Sequence, residues 1–265
     1  MLRSAFLLGL ATTAALAIDI HVSPGGPIAS LAAARDAVRK ARLASPGEAR
    51  VIVAAGTYAL TEAVVFEPQD SGVSYEAAPG ARPIFTGGRK ITGWNAESGV
   101  WKVKVDPSWR FDALWINGRR ATRARSPDSG FIQATGQPLQ PLPGVEPTGE
   151  PALTLLQVEP EATQALEALS PAELREVNVI VHFSWDVQRY RLATVRAADG
   201  TLQFTAGSHR AFFSLEPYHN VVIENFRAAL NAPGEWFLAL DGTLSYFPRP
   251  GEKLETIDAW APVAT

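Results

Sequence analysis

Between residues 51 and 88 the chain is a series of short β-rich runs cut apart by turn residues, and this pattern limits the possible folds more than any other feature. The runs are Val51-Ile52-Val53, Ala63-Val64-Val65-Phe66, Val73-Ser74-Tyr75 and Pro83-Ile84-Phe85. They recur roughly every 10 to 12 residues and alternate runs stand roughly 20 to 22 apart, a repeat length found in solenoids. Stacking every second run on the one below it gives the coils of a β-helix. The spacing predicts that 63–66 lies parallel to 83–85 and that 51–53 lies parallel to 73–75. Any meander of short strands shows a similar rhythm, and antiparallel pairing there would remove the solenoid.

Ahead of these runs, Ser30 stands at an N-cap position before an Ala-rich stretch that ends at Pro46-Gly47, the start and stop signals of a helix. Its apolar stripe is Leu31, Ala34, Val38 and Ala41, and Asp36 is spaced to pair with Lys40. Small alanines give the stripe little area, so the helix is read as a cap on a sheet or solenoid rather than a membrane-surface element. From Trp94 onwards the pattern changes to strand-like runs joined by Asp199-Gly200 and Asp241-Gly242, dipeptides that tolerate the positive φ of tight hairpins. Antiparallel strands with such turns predict a β-sandwich. Residues 133–151 read as a Pro/Gly-rich loop and 161–169 as a short helix. Ser170-Pro171-Ala172-Glu173 is an N-cap, a proline at N1 and a capping-box glutamate.

The first 17 residues read as an export signal. Arg3 supplies a positive n-region, an apolar run follows, and Ala15-Leu16-Ala17 is a small-x-small cleavage pattern. The apolar run falls short of the roughly 20 residues that span a bilayer. The expected location is therefore secreted or periplasmic, with no membrane attachment after cleavage. A formal net charge of -3 without a basic run gives no footprint for nucleic acid. With no cysteine in the chain there are no disulfides, so the core alone must hold the fold.

Several separate motifs occur in a recognisable order: the helix after Ser30, Gly56-Thr57-Tyr58, Phe66-Glu67-Pro68-Gln69-Asp70-Ser71-Gly72, Gly87-Gly88-Arg89-Lys90-Ile91-Thr92-Gly93-Trp94, Leu114-Trp115-Ile116-Asn117-Gly118-Arg119-Arg120-Ala121-Thr122-Arg123-Ala124-Arg125 and Ala232-Pro233-Gly234-Glu235-Trp236-Phe237-Leu238. The series resembles the right-handed parallel β-helix (pectin-lyase-like) glycoside hydrolases, first the family 141 fucosidase- and xylanase-type group and more distantly the family 120 β-xylosidases. The resemblance implies a mostly β chain in which a β-helix start with an N-terminal capping helix is interrupted by an antiparallel β-sandwich. Residues 1–17 are then the signal peptide, 18–93 the cap and first coils, 94–250 the inserted sandwich, and 251–265 the strand returning to a truncated β-helix. It implies action on a plant or algal polysaccharide or oligosaccharide, a C-terminal β-helix as structural partner, and catalytic carboxylates beyond residue 265. A non-catalytic carbohydrate-binding module and a polysaccharide lyase remain alternatives, because fold does not fix function.

Glycoside hydrolysis usually needs two carboxyl groups across the scissile bond. Asp70, Asp128, Asp186, Glu224 and Glu235 fall in turns or at strand ends, where capping is the ordinary use, so no catalytic pair is assigned. The segment His182-Phe183-Ser184-Trp185-Asp186-Val187-Gln188-Arg189-Tyr190 crowds an imidazole, an aromatic plane, a carboxylate and a guanidinium at a strand end. His182, Trp185, Asp186 and Arg189 are accordingly the candidate substrate-binding residues, since sugars are held by apolar stacking plus a few placed polar groups. The competing reading is a loop with Trp185 packed inward and Arg189 paired with Asp186. Arg119, Arg120, Arg123 and Arg125 are read as salt-bridge partners, divided between the two faces of a strand. His21, His182, His209 and His219 show no metal-ligand spacing, and no phosphate loop, nucleophile elbow or dinucleotide fingerprint occurs. Neither metal nor cofactor is expected.

Overall fold

The computed structural model describes residues 18–143, 149–213 and 219–262. The expected signal segment, 1–17, lies outside the described residues. The chain divides into two compact units, the second being Lys90–Val263.

In the first unit, strands β1 (Ile18–Val22), β2 (Ala49–Val53) and β4 (Val73–Ala77) form a parallel ladder in the order β1-β2-β4, while β3 (Gly56–Ala59) and β5 (Pro83–Thr86) form a second parallel pair. The register is regular, with Ile18 opposite Ala49 and Ala49 opposite Val73. The expected pairing of 51–53 with 73–75 is present, as Val51 opposite Tyr75. The partner of 83–85 is different: it is β3, not 63–66, and residues 63–66 form no strand. Val65 and Phe66 are exposed, so the β-branched run there has no packed face to hold it extended. The first unit's helix, α1 (Leu31–Ala44), is capped by Ser30, whose hydroxyl accepts from the Ala33 amide at 3.1 Å. Ala34 and Val38 are its buried residues, and they pack with Val22, Val51, Val53 and Tyr58. Asp36 pairs with its neighbour Arg35 instead of Lys40.

The second unit holds two β systems. One is a mixed eight-stranded sheet in the order Gly88–Ile91, Ala259–Pro262, Leu114–Ile116, Arg119–Arg123, Glu235–Leu238, Thr243–Tyr246, Val100–Lys104 and Asn95–Glu97. The other has seven strands, ordered Arg125–Ser126, Asn220–Glu224, Ile132–Gly136, Leu155–Val158, Thr201–Phe204, Val187–Arg196 and Asn178–His182. Its last strand pairs back onto Asn220–Glu224, so the sheet closes on itself. In place of the two facing sheets of a sandwich, the second unit has a small closed barrel beside an open sheet. Closure follows from Asn178–His182 using both edges, against Val187–Arg196 on one side and Asn220–Glu224 on the other. The barrel interior holds Val179, Val181, Tyr190, Leu192, Phe204, Phe212 and Ile223, and Trp101, Leu114, Trp236, Leu244 and Tyr246 centre the core of the open sheet.

Both aspartate-glycine turns close antiparallel hairpins, with Gly200 at φ +72° and Gly242 at φ +82°. The segment 161–169 is two short 3-10 turns, Pro160–Ala162 and Gln164–Leu166, not one helix. The Ser170–Glu173 capping box forms on both sides. The expected loop at 133–151 begins later, because Ile132–Gly136 is a strand.

Candidate functional site

The segment singled out by its crowded chemistry lies at one end of the barrel, where alternation along the strands sorts its side chains. Successive residues of a strand point to opposite faces. Asn178, Ile180 and His182 face outward, as do Val187, Arg189 and Arg191 opposite them, and Asn220, Val222 and Glu224 complete the face on the other side. Three cross-strand rows result, about 7 Å apart along the strands. They are Val187–His182–Asn220, Arg189–Ile180–Val222 and Arg191–Asn178–Glu224.

The first row lies open to solvent. Val187 is exposed, the His182 ring meets exposed Phe131 edge to face at 4.9 Å, and Gln133 bonds Asn220 beside them. Trp185 stands at the turn between the two strands, 80% exposed. It is not packed inward. An indole held this far into water is costly in hydration and has nothing to gain from the core.

Asp186 departs from that face. Its Oδ2 accepts from Gln188 at 3.1 Å and stands 3.7 Å from His209 Nε2. Gln188 also meets His209 and accepts from the Tyr190 hydroxyl at 2.6 Å, within a chain that reaches Ser208. Of the four candidates, His182 and Arg189 therefore share the outer face, Trp185 tops it, and Asp186 belongs to the polar network behind.

Arg189 pairs with Asp112 at 2.6 Å, not with Asp186. Asp112 also takes Arg123 at 2.9 Å, and Arg123, with only 8% of its side chain exposed, lies 4.6 Å over the Trp236 ring. This is a clasp of one carboxylate between two guanidiniums, joining the barrel's outer face to the open sheet within the second unit. Burial works against ionising Asp112, but the Arg189 hydrogen bond and the charges of Arg123, Arg189 and Arg191 outweigh it and hold its carboxyl below the usual range. Glu224, two strands away, is shifted the other way: burial pushes it up despite Arg123, Arg189 and Arg125. Diverging carboxyls are a signature of acid-base chemistry, and of structural ion networks too. Here the oxygens of Asp112 are taken by arginines, so this pair holds the wall of the site. Asn178, fully buried in the same row, finds no partner for either amide atom among the described residues.

Two of the other acidic residues hold local structure, Asp70 and Glu235. Asp70 accepts two bonds from Arg39, at 2.7 and 2.6 Å, and one from the Glu67 amide. Glu235 accepts from the amides of Asn231 and Ala232 and closes their turn. Arg125 is spent on the carbonyls of Pro127 and Gly130. Among the described residues no group of three or more His, Asp or Glu converges as a metal site.

The concavity beside the candidate segment is shallow, lined by Ile180, Val187, Gln188 and Arg189. A cavity of about 740 Å³ lies elsewhere in the second unit, between the open sheet and the barrel, and none of His182, Trp185, Asp186 and Arg189 lines it. The open face presents an aromatic plane with polar groups around it, which suits contact with an extended polymer rather than enclosure of a small molecule.

No protein-family model matches the chain, and no curated protein matches it. Among solved structures the chain is similar to one titled "Glycoside hydrolase", with 23% identity and a TM-score of 0.73 over 93% of this chain and 46% of that one. A second, titled "The complex structure of XylC with xylose", aligns over 93% of this chain and 32% of that one at 12% identity and a TM-score of 0.28. The likeness to the first is one of fold, and this chain spans less than half the length of that structure.

Proposed function

We propose that this chain is the N-terminal portion of an exported glycoside hydrolase built on a right-handed parallel β-helix, acting on a plant or algal polysaccharide. On this reading the catalytic carboxylates lie beyond residue 265. His182, Trp185 and Arg189 meet the glycan from the barrel's outer face, and Asp186 holds the turn that carries Trp185. The fold likeness to a glycoside hydrolase over nearly the whole of this chain carries the proposal. The interleaved parallel ladders support it, because a chain passing from β2 to β3 and then from β4 to β5 returns each time to the same two ladders, as a solenoid coil does. The exposed indole of Trp185 favours a second reading, a module that binds carbohydrate without cleaving it.

The deciding experiment starts from the reading frame downstream of Thr265. The protein it encodes is incubated with xylo-oligosaccharides, fucosides and arabinosides, and reducing-sugar release is followed. Release supports the hydrolase. A stop codon at that point, with polysaccharide retarding the chain in an affinity gel, supports the binding module. Trp185→Ala is expected to abolish retardation while changing stability by less than about 0.5 kcal/mol, as for other exposed positions.

A further inference from the structure

The cavity between the open sheet and the barrel is a second place where the second unit can take a ligand. Its volume, about 740 Å³, falls within the roughly 300–1,000 Å³ of small-molecule sites. Its floor is apolar. Leu169 and Phe237 are half-buried, pack against the barrel core, and line the cavity together with Phe226. Such a floor accepts the C–H face of a sugar ring as readily as it accepts a hydrocarbon.

The rim decides between the two. Four carboxylates, Glu97, Glu173, Glu176 and Asp241, and two cations, Lys102 and Arg227, line it, and each carboxylate already has a partner: Lys102 for Glu97, Lys104 for Asp241, Arg110 at 3.9 Å for Glu176, and the Ser170 amide and hydroxyl for Glu173. With Lys104 and Arg110 counted the rim is close to neutral, so neither an anion nor a cation gains from long-range attraction. Lys102 is engaged by Glu97, whereas Arg227 is exposed, and its guanidinium makes no hydrogen bond or close ion pair among the described residues, acting on Glu97 only through its charge. An aliphatic ligand would desolvate these groups without replacing their water, which costs free energy. A simple amine would find the carboxylates already partnered and be repelled by Arg227. A ring that donates hydroxyls to carboxylates, accepts from a guanidinium and lays one face on Phe237 satisfies all three.

We propose that this cavity binds a short neutral oligosaccharide, independently of the open face that carries Trp185. The proposal rests on the carbohydrate reading above and adds to it a site and the charge class of the sugar.

The test is calorimetric titration of the full 265-residue chain with xylotriose, cellotriose and mannotriose, and with trigalacturonate and trilysine as charged counterparts. At least one neutral trisaccharide is expected to bind. Arg227→Ala, at an exposed position that leaves the fold intact, and Phe237→Ala are each expected to weaken it about tenfold, while Lys253→Ala, at an exposed position outside both sites, leaves that binding unchanged. A dissociation constant within twofold of the parent in both cavity variants overturns the proposal. So does tighter binding of trigalacturonate or trilysine. If Trp185→Ala alone removes binding, the cavity is not the site, yet the carbohydrate reading stands. If no saccharide binds, the cavity proposal fails and sugar release by the longer protein decides the hydrolase reading separately.

Discussion

Asp70 shows how one side chain can tie distant parts of a small unit together. Its carboxylate takes both Arg39 donors from α1 and the Glu67 amide that opens its own 3-10 turn. The Arg39 hydrogen bond is the main cause that holds its pKa down, from 3.8 to about 2, against the opposing effect of burial. A carboxyl whose folded pKa is depressed contributes stability above its unfolded pKa and loses it as pH falls through the folded one. The Asp70 contribution is therefore whole above about pH 4 and fades as pH falls toward about 2. Asp70→Asn is expected to lower the thermal midpoint of the α1 circular-dichroism signal at pH 7 and to flatten its dependence on pH between those limits. A variant that keeps the parent's acid profile would show that the clamp does not hold α1. The motif that carries Asp70 was legible in the sequence as a turn with a capping acid. Its partner was not, because Arg39 is 31 residues away and only the packing of α1 brings it close.

Hairpins were the elements most readily read from the chain, because their requirement is local. Gly200 must adopt φ +72°, and a Cβ there would stand 2.0 Å from the Val158 carbonyl oxygen. Gly200→Ala therefore meets both the left-handed penalty of about 1–2 kcal/mol and a backbone clash. Its unfolding free energy, from urea titration followed by tryptophan fluorescence, is expected to fall by at least that amount, whereas Gly47→Ala, with open space around its Cβ and followed by 222 nm dichroism, is expected to stay within about 0.5 kcal/mol of the parent. Helix α1 was legible for the same local reason, since Ser30 and the alanines after it need nothing from afar. Pairing partners were less accessible. The run Ala63-Val64-Val65-Phe66 has strand composition but no buried face, while Gly56–Ala59 pairs with Pro83–Thr86 and sets buried Tyr58 against Phe85, the rings stacked at 5.1 Å. Barrel closure was invisible too, because nothing local in 178–182 says that both edges are occupied. The candidate site suffered in the same way: alternation sorts residues within one strand, but His182 and Arg189 lie on opposite sides of the turn, and only register puts them on one face and Asn178, Arg191 and Glu224 in a single row.

The two units differ in how much they bury. Among the described residues the first unit's core has seven buried apolar residues, all but Tyr58 being valine or alanine, against clusters of 20 and 15 in the second. At about 1.5–3 kcal/mol for each large apolar side chain, the first unit has much less to set against its chain entropy. All seven tryptophans fall at or after Trp94, whereas α1, 14 residues long, is the longest helix among the described residues. Fluorescence therefore reports on the second unit and the 222 nm dichroism largely on the first. Urea titration is expected to give non-coincident curves, with dichroism falling first, and superposed curves would show that the chain unfolds as one cooperative body. Among the described residues, strands β4 and β5 each end a ladder, with one row of backbone groups paired to a neighbouring strand and the other not. Such an edge is a mould: it dictates the direction, spacing and extent of whatever settles on it, and it reads main chain, which every polypeptide has in common. Copying of this kind discriminates poorly between a continuing coil of the same molecule and a stray strand from a neighbour, so the concentration at which these edges meet one another sets a ceiling on how densely the chain can be kept dispersed.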